Sequence, residues 1–485
     1  DEATQPFKLA EDPLVRGKLV RLAETEHILM VTTHHIVFDG WSFEIFCREL
    51  SELYEAFDAG RPSSLSDLPV QYVDFAVWQQ DWLQDERLEA QLTYWRGQLS
   101  QPPSVLQLPG DRPRPAVQTL RGACHHFALS RELTASLKGL SADAGSTLFM
   151  TLLAAFDVLL YRYTGQDDLI VGTPIASRPQ TQLEALIGPF INTLALRARL
   201  APSMSFRDLL DQVKAVSLQA FAHQDLPFER LVEELKLGRS LSYSPLFQVM
   251  FSFQNTALPS PEFAGLLVRN VEVNTKTAKF DLSLNMIDAP DGLQAIIEYS
   301  LDIFQAATAR RLAEHFQVLL EDIVANPDTP IARMSLLTEV ERHQLLVDWN
   351  ATHSEFPRCL CVHQLFEAQA ACRGEAVAAV FEDHQLTYRE LNGKANQLAH
   401  YLLTMGIGPE KLVGICMERS LEMIVGMLGT LKAGGAFVSL DPKYPAERLT
   451  FMLEDAQASV LLTDKRSMDR LSQVGSQIIC MDDDG

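Results

Sequence analysis

The strongest chemical signal in the chain is the run His34-His35-Ile36-Val37-Phe38-Asp39-Gly40-Trp41-Ser42. An imidazole supplies a base near neutral pH, and a carboxylate a few residues away, or that carboxylate's arginine partner, can fix its orientation. Neighbouring residues on a strand face opposite sides, so only one of the two histidines can address a given cleft. Gly40 is read as the residue that permits the turn, and Ser42 as the cap of a following helix that Trp41 helps to open. A second pair, His125-His126, is followed by Leu129-Ser130-Arg131 with no Asp-Gly and reads as strand surface.

The elements around the first pair suit this reading. Residues 28–33 form an apolar, β-branched run typical of a buried strand, and 41–58 carry apolar residues at helical spacing. Helical patterns follow at 74–97, 131–143, 147–163, 206–222, 226–236 and 304–325, with strand-like runs at 125–129, 168–172, 246–253 and 293–300. Residues 108–115 read as a linker by their Pro and Gly content. Turn-rich sequence at 326–360 brackets a short helical piece. Beyond it strands (376–381, 411–417, 436–440, 458–463) alternate with helices (388–405, 420–433, 446–455), which predicts βαβ units and a parallel sheet.

Composition narrows the function. The 485 residues carry a formal charge of −22, which argues against a nucleic-acid partner. No apolar run approaches the ~18 residues a membrane span needs. Cysteines at 47, 124, 359, 361, 372, 416 and 480 make no disulfide framework, and Cys359 and Cys361 lack a second pair to hold zinc. No metal site and no cofactor-binding residue is assigned, and a reducing, cytoplasmic setting is expected. The chain opens on Asp1 without a signal peptide, and nothing after the strand-like 477–480 closes a domain, so an internal piece of a longer protein is expected.

The His34–Ser42 run resembles the HHxxxDG motif of condensation domains in nonribosomal peptide synthetases, shared with chloramphenicol acetyltransferase-like acyltransferases. Five further segments resemble later motifs of that family, in order: Gln71–Gln79, Val171–Arg178, Ile187–Thr193, His223–Glu229 and Ser244–Val249. Downstream, Leu386–Leu391 and Leu431–Asp441 resemble the first two core motifs of amino-acid adenylation domains, with Ser439 where that family more often has Pro. The resemblance implies a mixed α/β fold: a two-lobe condensation domain at 1–340 (lobes about 1–70 and 71–340, the first lobe truncated), a linker at 341–360, and the N-terminal part of an adenylation domain at 361–485.

It also implies a reaction. A donor peptidyl or aminoacyl thioester and an acceptor aminoacyl thioester, both on phosphopantetheine arms of upstream and downstream carrier domains, would be joined by a peptide bond. His35 would position the amine and accept its proton, Asp39 would orient the loop by pairing with Arg178, His34 would pack away from the tunnel, and Asn192 would line the channel or close a strand. His223, Pro227 and Phe228 would pack. Epimerisation relatives share the motif, but Trp41 and Phe43 around Ser42 follow the condensation pattern, and heterocyclisation relatives replace the first His by Asp. Residues 187–197 and 239–248 resemble domains that join two L-residues. ATP and magnesium would belong to the intact adenylation domain; the Ser/Thr/Gly-rich phosphate loop that domain needs is not found before Gly485. This chain alone is therefore expected to be inactive. The alternatives are an amino-acid-activating ligase function dominated by the adenylation part, and an inactive docking or scaffold piece.

Overall fold

A computed structural model describes residues 2, 5–238, 240–255, 263, 265–269, 271, 275–468, 471 and 475–482. Asp1, Arg239 and 483–485, all used above, lie outside the described residues. The chain divides into two compact units, Asp1–Asn350 and Ala351–Gly485.

The first unit opens with an antiparallel hairpin of β1 (Val15–Arg21) and β2 (His27–Thr33). Then come α1 (Gly40–Asp58), α2 (Tyr72–Trp82) and α3 (Asp85–Leu99). The helical pattern at 74–97 is thus two helices. Gln84 is extended and Asp85 takes φ +46°, which breaks the first helix, and Asp85 and Glu86 then start the second where its dipole favours negative charge.

The remaining strands are β3 (Gly122–Ala128), β4 (Asp168–Ala176), β5 (Ile191–Arg199), β6 (Val249–Gln254), β7 (Leu282–Ala289) and β8 (Gly292–Ser300). They form one sheet in the order β3-β8-β7-β6-β4-β5, in which β4–β6 and β6–β7 pair parallel and the others antiparallel. The helices are α4 (Arg131–Asp143), α5 (Leu148–Thr164), α6 (Phe206–Ala222), α7 (Phe228–Glu234), α8 (Ala306–Ala325) and α9 (Glu339–Leu346). An unbroken run of α5, Met150 to Leu160, is buried, because α5 is covered by α4, α6 and α8 as well as by the sheet. The Thr147 side chain caps its start by accepting from the Met150 N–H.

The stretch at 108–115, read above as a linker, separates no units. It is strapped down just before β7 by Arg114, whose guanidinium pairs with buried Asp281, and at the start of α8 by Asp111, which accepts from the Gln305 N–H at 2.8 Å. Helix α9 is tied to α8 by a relay: Tyr163 Oη to His315 Nδ1 at 2.6 Å, and His315 Nε2 to Glu341 at 2.8 Å.

The second unit holds α10 (Val362–Cys372), β9 (Val377–Phe381), β10 (His384–Thr387), α11 (Tyr388–Thr404), β11 (Leu412–Cys416), α12 (Leu421–Lys432), β12 (Ala436–Leu440), α13 (Ala446–Asp455), β13 (Val460–Thr463), α14 (Lys465–Met468) and β14 (Gln477–Cys480). Four strands form the expected parallel sheet, ordered β12-β11-β13-β14. The strand at 376–381 does not join it. It pairs antiparallel with β10 across a two-residue turn in which Glu382 takes φ +51°.

Candidate active site

The histidine pair lies just past β2, not within it. His34 N donates to Leu14 O at 3.0 Å, continuing the hairpin for one bond. The chain then turns: Val37 N donates to His34 O at 3.1 Å, and Ile36 N donates to His34 Nδ1 at 3.1 Å. The His34 imidazole is therefore an acceptor that builds the turn, and its ring meets Phe7 edge-on at 5.6 Å. The turn delivers His35.

Asp39, 3% exposed, closes the run. It is the N-cap of α1, where its Oδ1 accepts from Ser42 N at 2.8 Å and from Ser42 Oγ at 2.6 Å. Ser42 is thus not the cap, since a carboxylate at Asp39 already meets the helix's free N–H groups and their positive end. Gly40 is the first helical residue and does not make the turn; its φ is not left-handed and a Cβ there would meet nothing within 4 Å.

Arg178 reaches Asp39 across the fold, 3.2 Å from Oδ1, with both side chains almost fully buried. Its other terminal nitrogen donates to Leu183 O and Leu186 O, and its guanidinium lies 4.0 Å from the Phe190 ring centroid. Burial lowers the Arg178 pKa, and the Asp39 charge opposes that. Phe190 N donates to Asp39 Oδ2 at 3.0 Å, and Ser42 Oγ exchanges hydrogen bonds with Gly188 N and O, each at 3.0 Å. Trp41, 40% exposed, donates its indole N–H to Glu184 O at 3.0 Å. The start of α1, the loop after β4 and the loop before β5 are thus one knot around a buried carboxylate.

Beside the knot is a cavity of about 340 Å³ whose wall includes His35, Tyr72, Trp78, Ser177, Asn192 and Asp225. Among the described residues, His35 is the one of His34, His35, Asp39 and Gly40 that lines it. Helix α2 gives one face, since Tyr72, Phe75, Trp78, Gln79 and Trp82 recur at helical spacing. Trp78 stacks on Trp82 at 5.3 Å. Gly188 lets Tyr72 approach, because a Cβ there would sit 2.3 Å from the Tyr72 ring. Burial, with a smaller push from Asp39, raises the Tyr72 phenol pKa.

Asn192, on β5 opposite Ile175, lines the cavity and also fastens its floor. Its Nδ2 donates to Gln224 O and Leu226 O, both at 2.8 Å, and its Oδ1 accepts from Phe228 N at 3.0 Å. His223 stacks on Tyr94 at 4.1 Å and places Nδ1 2.8 Å from Gln219 O, and His125 and His126 lie in β3. The cavity wall of Tyr72, Trp78, Ser177 and Asp225 was not singled out from sequence. Its available signal was the helical spacing of aromatic residues in Gln71–Gln79 and the carboxylate within His223–Glu229.

Fold and site together define a two-unit α/β protein whose first unit encloses a histidine-walled, aromatic cavity. Residues 1–346 match the family model "Condensation domain" and residues 366–485 match "AMP-binding enzyme". The chain is 52% identical to a linear gramicidin synthase protein of Brevibacillus parabrevis over all 485 residues, and 45% identical to chondramide synthase of Chondromyces crocatus over 99% of its length. It spans 9% and 12% of those relatives. A crystal structure of a four-domain nonribosomal peptide synthetase bound to AMP and glycine superposes with TM-score 0.80 at 26% identity, covering 99% of this chain and 37% of that one. The X-domain from teicoplanin biosynthesis gives TM-score 0.66 at 30% identity, covering 69% of this chain and 77% of that one. The chain belongs to the condensation-domain family of nonribosomal peptide synthetases and continues into part of an AMP-binding enzyme domain.

Proposed function

We propose that the first unit catalyses peptide-bond formation between two carrier-bound thioesters, with His35 as the residue that touches the reacting amine. The observation that carries this is the position of His35 on the wall of a cavity of about 340 Å³. Both arms would be phosphopantetheine groups of upstream and downstream carrier domains, in a cytoplasmic synthetase. Cys47, Cys359, Cys361, Cys372 and Cys416 are free thiols, as a reducing compartment would keep them.

The chemistry sets a modest demand on His35. A free α-amine titrates at about 7.7–8.0, so part of it is neutral at cellular pH and attacks without prior deprotonation. Its nitrogen lone pair adds to the donor carbonyl carbon and gives a zwitterionic tetrahedral intermediate. His35 takes the ammonium proton, the C–S bond breaks, and the proton leaves with the thiolate as a free thiol. Asp39 and Arg178 act through the turn, by holding α1 and the loop at 186–190 in place. The lobe division near residue 70 and the boundaries 1–340, 341–360 and 361–485 are part of this proposal.

The second unit does not contribute a step here. Its paired glycines, Gly434-Gly435, stand before β12, at the N-terminal end of the parallel strands, whereas ligands of such sheets sit at the C-terminal ends. A Cβ on Gly435 would lie 2.7 Å from Ile407, so this glycine serves close packing and is no phosphate cradle. Among the described residues, this glycine pair does not fit an ATP phosphate cradle.

The test uses the intact module with donor and acceptor carriers loaded with labelled aminoacyl groups. Dipeptide on the acceptor carrier, seen by intact mass, supports the proposal. No transfer from correctly loaded carriers would contradict it and favour a docking role.

A further inference from the structure

We propose that Asp225 is the ammonium-binding residue of the cavity: it holds the acceptor's α-amino group there and so selects an amine-bearing thioester. This rests on the reading that the cavity receives an amine nucleophile.

Four observations converge on Asp225. Asp225 lines the cavity that His35 lines, and among the described residues no donor meets its carboxylate. It is not loosely held, because Asn192 fastens the backbone on either side of it, at Gln224 O and Leu226 O, and again at Phe228 N. The charged groups on the cavity wall are of one sign: Asp225 and Glu229 face it, and no Lys or Arg does among the described residues. On the same wall the Ser177 hydroxyl is buried without a hydrogen-bond partner, a second polar group left for a ligand.

The physical consequence follows from desolvation. Burial raises the Asp225 pKa, because its anion has lost part of its hydration, and the nearby His223, when cationic, partly offsets that. An arriving ammonium replaces the lost hydration with a charge-assisted hydrogen bond. When the bound ammonium gives up one proton to solvent, the neutral amine that attacks keeps an N–H on the Asp225 carboxylate, and His35 takes its proton only after the addition. A neutral acylated amine has no positive charge to offer and gains none of this.

The experiment measures binding, not turnover. Two soluble probes, an aminoacyl-pantetheine amide with a free α-amine and its N-acetyl counterpart, are titrated calorimetrically into the 485-residue chain, Asp225→Asn and Asp225→Glu. The chain should prefer the free amine at least ~10-fold, a difference of about 1.4 kcal/mol. Asp225→Asn should abolish the preference at an unchanged melting temperature, and Asp225→Glu should restore part of it. Equal binding of both probes by the parent chain, or an intact preference in Asp225→Asn, would overturn the proposal. Dipeptide transfer without amine preference would contradict the ammonium site alone. Preference without transfer would support that site and contradict peptide-bond formation.

Discussion

Arg178 and Asp39 stand 139 residues apart in sequence and 3.2 Å apart in space, at 2% and 3% side-chain exposure. Neither residue lines the cavity, so the pair acts by fixing the geometry around His35. Removing one partner leaves the other charge buried and should cost about 3–5 kcal/mol. Asp39→Ala and Arg178→Met should each fall in that range in urea unfolding. The double variant should lose less than the sum. Additive losses would show that the two side chains do not act as a pair.

The two glycines at the knot should behave oppositely. Gly40→Ala meets no atom and sits at a helical position, so its stability should stay within ~0.5 kcal/mol of the parent. Gly188→Ala drives a methyl into Tyr72 and should destabilise by about 1–3 kcal/mol. Equal effects in thermal unfolding would contradict the packing described here.

Asn192 makes its claim through three backbone groups of one loop. Asn192→Ala should cost about 1–3 kcal/mol and speed hydrogen exchange at the Phe228 amide. Unchanged protection of that amide would mean the loop is held by something else.

Asp157 supplies a pH signature away from the site. It is 2% exposed, its Oδ1 has no hydrogen-bond partner, and burial alone raises its pKa well above 3.8. The folded chain therefore keeps this carboxyl protonated at pH values where the unfolded chain ionises it. Stability falls as pH rises from the unfolded value toward the folded one. Asp157→Asn should melt near the parent at pH 4 and above it at pH 8. A gap that does not grow with pH would contradict a neutral buried Asp157.

Local patterns foretold much of this fold, and the failures have common causes. Strand β5 went unread because Leu194, Ala195 and Leu196 are apolar and buried on successive residues, which breaks the period-two signal; β7, whose Leu282-Ser283-Leu284-Asn285-Met286 does alternate, was simply missed. The break between Trp82 and Asp85 was hidden by apolar spacing that runs across it. At the site, the Asp39–Arg178 contact and a cavity beside His35 were expected from the resemblance of the ordered motifs to a known family. The clamp from Asn192 to residues 224–228 was not, since it joins one side chain to backbone groups 32–36 positions away and leaves no residue-type signature.

The central claim is that His35 touches the reacting amine. The most direct measurement compares native and His35→Ala modules, with both carriers loaded and transfer followed by intact mass over time. The account predicts dipeptide from the native module and a rate lower by about 10²–10⁴ in the variant, the range of a lost general base. Equal rates would leave condensation standing and remove His35 from its chemistry.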